Sequence, residues 1–257
     1  MPNIIVCYKW VKDEADIWIN PDLSVDFSRA KGKISEYDRN AIETGMQCAD
    51  NDDQIVSLTY GSDDAKKSLK DALSRGPQKG YWVNDADQES ADGAKTGQVL
   101  AAAIKKIGDT KLVICAEGAS DTYSHETGSR IGALLDIPVI TNVVSLILDG
   151  DKVQATRKLK NSLQTVEAKL PAVITVLPEI YPAPIPGLKM VMGASRKPTE
   201  MFSIDDLGLS PEQLAPKTTL KNLSGFADER KNVLINEGTA EEKAQKLVQN
   251  LTKEGVL

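Results

Sequence analysis

Short apolar runs alternate with amphipathic stretches along the first 140 residues. Residues 3–8 form an apolar run between polar neighbours and predict a strand. Ser35-Glu36-Tyr37-Asp38 opens a helix in the manner of a capping box, with Ser35 as cap and Asp38 favouring the positive end. Ala41, Ile42, Gly45 and Met46 follow at helical spacing. Residues 54–60 predict a second strand, stopped by Gly61-Ser62, and the next helix carries Leu69, Ala72 and Leu73. That helix ends near Gly76, where Ser74-Arg75-Gly76 reads as a C-cap rather than an anion site. Residues 81–83 make a third strand. A helix over 90–107 follows, with Val99, Ala102, Ala103 and Ile107 on its apolar face and Gly108 as its stop. Residues 112–116 form the fourth strand, 127–135 the helix behind it, and 137–140 a short fifth strand. Repeated β–α units of this length predict an α/β fold with a doubly wound, mostly parallel sheet.

The pattern changes after about residue 142. Strand-like residues 143–148 and 152–158 flank Asp149-Gly150, a hairpin signal, and residues 164–169 and 172–176 follow as further strands. This reads as antiparallel strands added to the parallel sheet. Residues 178–187 carry prolines 178, 182, 184 and 186, which exclude a central strand or a helix interior. The segment reads as stiff, extended and exposed, presenting Ile180, Tyr181 and Ile185 ahead of a short helix over 188–194. From Met201 the chain is polar and weakly patterned until Thr239-Ala240-Glu241-Glu242, a capping box for a last helix to about Lys253. Ala240, Ala244, Leu247, Val248 and Leu251 give that helix an apolar stripe in need of cover, and an extended C-terminal arm covering another chain is expected. Two regions result: 1–200, a nucleotide-binding domain with a partner-docking loop at 178–195, and 201–257, the arm.

Composition narrows the function classes. A net charge of −6 argues against general nucleic-acid binding, which needs a basic surface. No stretch approaches the roughly 20 apolar residues of a membrane span, and the N-terminus has no signal-peptide pattern. Cys7, Cys48 and Cys115 are widely spaced with no CxxC pair, which fits a reduced, cytoplasmic compartment and no zinc or disulfide framework. GxGxxG, GxxxxGK[ST] and GxSxG elements are absent, and the single histidine excludes His-rich metal sites and most catalytic triads.

The positive signal is for binding. Between the fourth strand and its helix lies Glu117-Gly118-Ala119-Ser120-Asp121-Thr122-Tyr123-Ser124-His125-Glu126-Thr127, longer than the usual two to six residues of such a connection. Ligands of open α/β sheets sit outside the carboxyl ends of the strands, and free N–H groups at a helix start attract anions. Asp121 is placed to hold a ribose or adenine donor, and the N–H groups near Glu126–Gly128 to take a phosphate. A plain connection with Ser124 or Thr127 capping the helix is the simpler reading. Lys9 and Asp13, in the loop after the first strand, are candidates for the same cleft or residues of an ordinary charged loop. Tyr60-Gly61 ends the second strand, where glycine permits close approach of a ligand.

Several segments together resemble a known family. Ile4-Ile5-Val6-Cys7-Tyr8-Lys9-Trp10-Val11-Lys12-Asp13 is similar to the N-terminus of electron transfer flavoprotein (ETF) β subunits. Lys33-Ile34-Ser35-Glu36-Tyr37-Asp38-Arg39-Asn40-Ala41-Ile42-Glu43 resembles the FixA-type branch, as does the stretch from Ile185-Pro186-Gly187-Leu188-Lys189 to Gly193-Ala194-Ser195-Arg196-Lys197-Pro198. Gln164-Thr165-Val166 and Leu170-Pro171-Ala172-Val173-Ile174-Thr175 match the family's signature region. The likeness covers nearly the whole chain in register.

The resemblance implies a subunit that pairs with a FixB-like α subunit and serves acyl-CoA dehydrogenase- or reductase-type flavoenzymes. One FAD would lie mainly on the α subunit, and a nucleotide, usually AMP, in this chain. The nucleotide site carried over is Cys7, Ser35, Glu36, Tyr37, Asp38, Tyr60, Ala116, Gly118, Ser120, Asp121, His125, Glu126, Thr127 and Gly128. Asp13 and Glu14 would lie toward the flavin, and Tyr181, Ile185, Pro186 and Leu188 would dock the partner enzyme. An electron-bifurcating form would hold a second FAD in place of AMP and oxidise NADH. A stand-alone adenine-nucleotide regulator is the alternative outside the family. Two departures count: Lys158 stands where the family carries an acid, and His125-Glu126-Thr127 puts a carboxylate at the phosphate end, where it is repulsive by about 1 kcal/mol at contact range in water.

Overall fold

The computed structural model describes residues 1–227 and 230–257, so Asp228 and Glu229 of the arm lie outside the described residues. The first half follows the β–α rhythm. β1 (Asn3–Cys7) leads through two small ribbons, β2 (Trp10–Lys12) with β5 (Gly32–Ile34) and β3 (Trp18–Ile19) with β4 (Val25–Asp26), to α1 (Glu36–Cys48). Then come β6 (Gln54–Gly61), α2 (Ser68–Ser74), β7 (Lys79–Asn84), α3 (Gly93–Ile107), β8 (Thr110–Ala116) and α4 (Thr127–Leu135). The second half holds β9 (Val139–Asp149), β10 (Lys152–Leu159), β11 (Ser162–Lys169), β12 (Ala172–Val176), α5 (Leu188–Ala194), β13 (Thr199–Ser203), α6 (Pro211–Leu214) and α7 (Ala240–Lys253).

Nine strands form one sheet in the order β11-β10-β9-β12-β8-β1-β6-β7-β13. Strands β12 through β13 of that order run parallel, and β9, β10 and β11 add antiparallel ladders at one end. This is the expected α/β architecture, with one difference at β12. It is not an antiparallel addition but a parallel strand set between β8 and β9. The fifth strand and the first arm of the hairpin are also one element, β9, which pairs parallel with β12 and antiparallel with β10. Polar Thr141-Asn142 splits the apolar pattern there, and Asn142 takes φ +59°. Arg157 bridges the kink by donating to the carbonyl and hydroxyl of Thr141.

Central strands buried on both faces explain the continuous apolar runs, since all five residues of β1 and of β12 are buried. Ile4 and Val6 face Ala41 and Ile42 of α1, whereas Ile5 and Cys7 face Val99, Leu100 and Ile104 of α3 and Ile131 of α4. α5 packs on α2, and Lys197 Nζ donates to the carbonyls of Leu73, Gly76 and Pro77. The connection from β7 crosses β1 and β6 to reach β8. The winding therefore reverses beside β1, which is where such sheets open a crevice.

Three local expectations change. α3 starts at Gly93 rather than residue 90, because Asp92 accepts from the Lys95 N–H and caps it. The expected boundary at 200 falls inside β13, and the cluster under α3 continues through Ile204, Leu207, Leu209 and Leu214. Ile180 is buried and Tyr181 packs against the same core, so the proline-rich segment is anchored at its start. The capping box of α7 forms through Thr239 and Glu242, and none of that helix's residues is buried.

Candidate functional site

The crevice beside β1 is a cavity of about 270 Å³ at the carboxyl ends of β1, β6 and β8. Cys7, Tyr60, Cys115 and Ala116 end those strands and form its floor; Ala91, Gly93 and Leu100 form one wall, and the loop from Glu117 to Glu126 forms the other. That loop is shaped by unusual backbone. Tyr123 (φ +46°) and His125 (φ +57°) are both left-handed, which costs energy in non-glycine residues and marks an over-determined turn. The Tyr123 ring packs at a tilt against Tyr37 at 5.2 Å and edge-on against His125 at 4.1 Å, and its hydroxyl donates to Glu117 at 2.5 Å. That bond to Glu117 pushes the Tyr123 hydroxyl up to about 12.

Of the residues expected at a nucleotide, Cys7, Asp38, Tyr60, Ala116, Gly118, His125, Glu126 and Thr127 line the cavity. The others do not line it. Ser35 is the N-cap residue of α1, as expected, but makes no side-chain cap bond; its Oγ accepts from the Ser120 N–H at 3.2 Å and ties the loop to that helix. Asp121 is paired with Lys9 at 2.6 Å and directs nothing into the cavity, while Tyr37 supports Tyr123. Glu36 pairs with Lys33 at 3.3 Å. Gly128 packs against Thr175, where a Cβ would collide with the threonine Cγ2. Neither Ser124 nor Thr127 caps α4; Glu126 occupies the N-cap position, with no side-chain cap bond.

Asp13 and Glu14 lie on an exposed turn apart from the cavity, both paired with Lys33 at 3.2 and 2.7 Å. The residues expected to dock a partner separate by exposure. Ile185 is 95% exposed and Leu188 77% exposed, whereas Pro186 and Tyr181 are half-buried. Lys158 pairs with Glu179 at 2.6 Å, so its charge is met within the chain.

Sequence reasoning missed the α3 side of the cavity and its strap. Asp92 accepts from the N–H groups of Lys95, Lys217 and Thr218 and from the Thr218 hydroxyl, drawing the start of the C-terminal arm across the cavity, where Thr218 becomes a lining residue. Partial burial opposes ionisation of Asp92, but these bonds outweigh it and hold the carboxyl at about 2. A contact 125 residues away leaves no local signal in the sequence.

The electrostatics are those of a binding cavity. Asp38 is buried, and desolvation lifts its carboxyl to about 7 although the Lys9 N–H donates to it at 2.8 Å. Tyr60 donates to Asp85 at 2.5 Å, and Lys95 meets the same carboxylate at 2.8 Å beneath the floor. Burial and the carboxylate beside it hold the Tyr60 hydroxyl far above its ordinary range, so it stays a neutral donor. Contact with Cys7 and burial push the Cys115 thiol well up, away from the thiolate. Among the described residues no group of three or more His, Cys, Asp or Glu is placed to hold a metal ion, and no helix is long and apolar enough to cross a membrane.

The arrangement thus offers apolar walls, a few fixed polar groups and a helix start, at a reversal of strand order. The family model described as the electron transfer flavoprotein domain matches residues 22–207, more than half of the chain. The chain belongs to the electron transfer flavoprotein family.

Proposed function

We propose that this chain is a β-type, FixA-like subunit of an electron transfer flavoprotein. It pairs with a FixB-like α subunit in the cytoplasm and passes electrons between acyl-CoA dehydrogenase- or reductase-type flavoenzymes and other redox partners. The observation that carries this reading is the size and lining of the cavity beside β1. About 270 Å³ lies just under the usual range of roughly 300–1,000 Å³ for small-molecule pockets, which suits an adenine mononucleotide such as AMP better than FAD. Cys7, Ala91, Leu100 and Cys115 suit the faces of a purine, and Gln88, Thr96 and Asp38 suit its polar edge and the ribose.

The flavin would be held mainly by the α subunit, toward Asp13 and Glu14, and supplies the redox chemistry when bound. This chain's residues then bind and orient, and none need act as acid, base or nucleophile. The exposed Ile185 and Leu188 support a docking role, because an apolar side chain raised on a stiff proline frame loses little entropy on burial. The three unpaired cysteines support a reducing compartment.

The test is the nucleotide content of the denatured α/β complex. One FAD and one adenine mononucleotide or nucleoside per heterodimer are expected. Two FAD would replace this reading with the electron-bifurcating one, and a complex without flavin absorbance would overturn it.

A further inference from the structure

The anion-attracting end of the cavity already holds an anion of the chain's own. α3 begins at Gly93 and α4 at Thr127, and both residues line the cavity. Two helix N-termini therefore meet there, each carrying partial positive charge and free N–H groups. Glu126 lies between them. It is the N-cap residue of α4, and its carboxylate covers Gly93 of α3 so closely that a Cβ on Gly93 would collide with Oε1. Arg130, one turn along α4, holds the carboxylate in place with Nε and Nη2 at 2.7 and 2.6 Å.

The rest of the lining repels anions. Asp92 and Glu117 join Glu126, and Lys9 is the one lysine or arginine among the described lining residues. Its ammonium is committed to Asp121 at 2.6 Å. A phosphate entering this end would meet the Glu126 carboxylate with no uncommitted cation in the lining to offset it. The nucleoside end has no such penalty, since Cys7, Leu100 and Cys115 are apolar.

We infer that Glu126 is a built-in surrogate for a phosphate, and that it makes this cavity select the nucleoside adenosine over its 5′-monophosphate. This rests on the reading of the cavity as an adenine site. It sharpens that reading by setting the ligand's charge: the base and ribose are recognised, and the phosphate is held off by a carboxylate that is part of the fold. Replacing Glu126 by a neutral residue removes the carboxylate at the start of α4, releases Arg130 from it, and opens the same end to a phosphate.

The experiment is calorimetric titration of the nucleotide-stripped α/β complex with adenosine and with AMP, for the wild type, Glu126→Gln and Glu126→Ala. The wild type should bind adenosine at least as tightly as AMP. Both variants should bind AMP about tenfold more tightly than the wild type does, with adenosine affinity changed less than twofold. The wild-type ratio needs no variant to fold. Wild-type AMP affinity tenfold above that for adenosine, or variants whose AMP affinity is unchanged or lower, would overturn the role of Glu126 and leave the adenine site standing. If neither compound binds the wild type or the variants, the adenine site falls, and this inference with it.

Discussion

Burial lifts the carboxyl of Asp38 to about 7, partly countered by the Lys9 N–H and ammonium and helped by the charge on Asp121. The sign of the consequence follows from linkage. An unfolded aspartate titrates near 3.9, so between about pH 4 and 7 the folded chain holds a proton that the unfolded chain has lost. Stability should therefore fall as pH rises through that window, by about 1.4 kcal/mol per unit while the states differ by one proton. Asp38→Asn keeps an oxygen acceptor for the Lys9 N–H and stays neutral throughout. Thermal melts at pH 5 and pH 8 should show the wild type losing more stability than the variant over that interval, and parallel profiles would remove Asp38 as the titrating group. Sequence placed Asp38 at the start of α1 and at the site. It gave no hint that the carboxyl is buried, because burial comes from β1 and the 117–126 loop folding over it.

At the level of elements, α4 is positioned by one glycine. Gly128 sits in its first turn with a Cβ direction blocked by Thr175 Cγ2 of β12, and Cys115 Cβ and Val173 Cγ1 lie 3.7 Å away. Thr175 has little room to yield, because its Oγ1 accepts from the Asn142 N–H at 3.2 Å and fixes the rotamer. Gly128→Ala gains up to about 1 kcal/mol in helix propensity, whereas overpacking costs roughly 1–3 kcal/mol. The steric term should win. The expected result is a net loss of stability in denaturant unfolding, restored in the double variant with Thr175→Ser, which removes Cγ2 and keeps the hydroxyl. Failure of the double variant to recover would separate the loss from this contact. The start and end of α4 were legible because loop polarity gives way abruptly to helical spacing at Thr127. β13 was not, since its residues Thr199–Ser203 are exposed except Phe202 and Ser203, and an edge strand with one deeply buried residue carries almost no alternation. The proline count misled at Ile180 and Tyr181 for a related reason. Proline fixes the backbone without saying which side faces the core, and Asn40 Nδ2 ties that turn down through the carbonyls of Pro178 and Tyr181.

The whole molecule is unbalanced toward its C-terminus. The sheet and its two helical layers close a continuous core, yet the arm beyond Leu214 leaves Leu220, Phe226 and Leu234 between 77% and 88% exposed. Leu247 and Val248 on α7 are about half exposed. A helix of 14 residues that buries no side chain against its own domain is marginal in water despite a good capping box. Its apolar stripe was readable from the sequence as a surface in need of cover, and among the described residues none of that helix is buried. In the proposed heterodimer the α subunit is the cover. Deleting residues 240–257 should therefore sharply reduce co-purification of the α subunit while leaving the melting temperature of the sheet domain within a few degrees, because no core contact is lost. A large drop in the domain's own stability would mean that the helix folds back onto it, and undiminished assembly would mean that the heterodimer is held by another face. The strap at Asp92 separates the two roles of the arm. Lys217 and Thr218 remain in the shortened chain, so retention of adenosine by the truncated domain would assign cavity closure to the start of the arm and subunit assembly to its end.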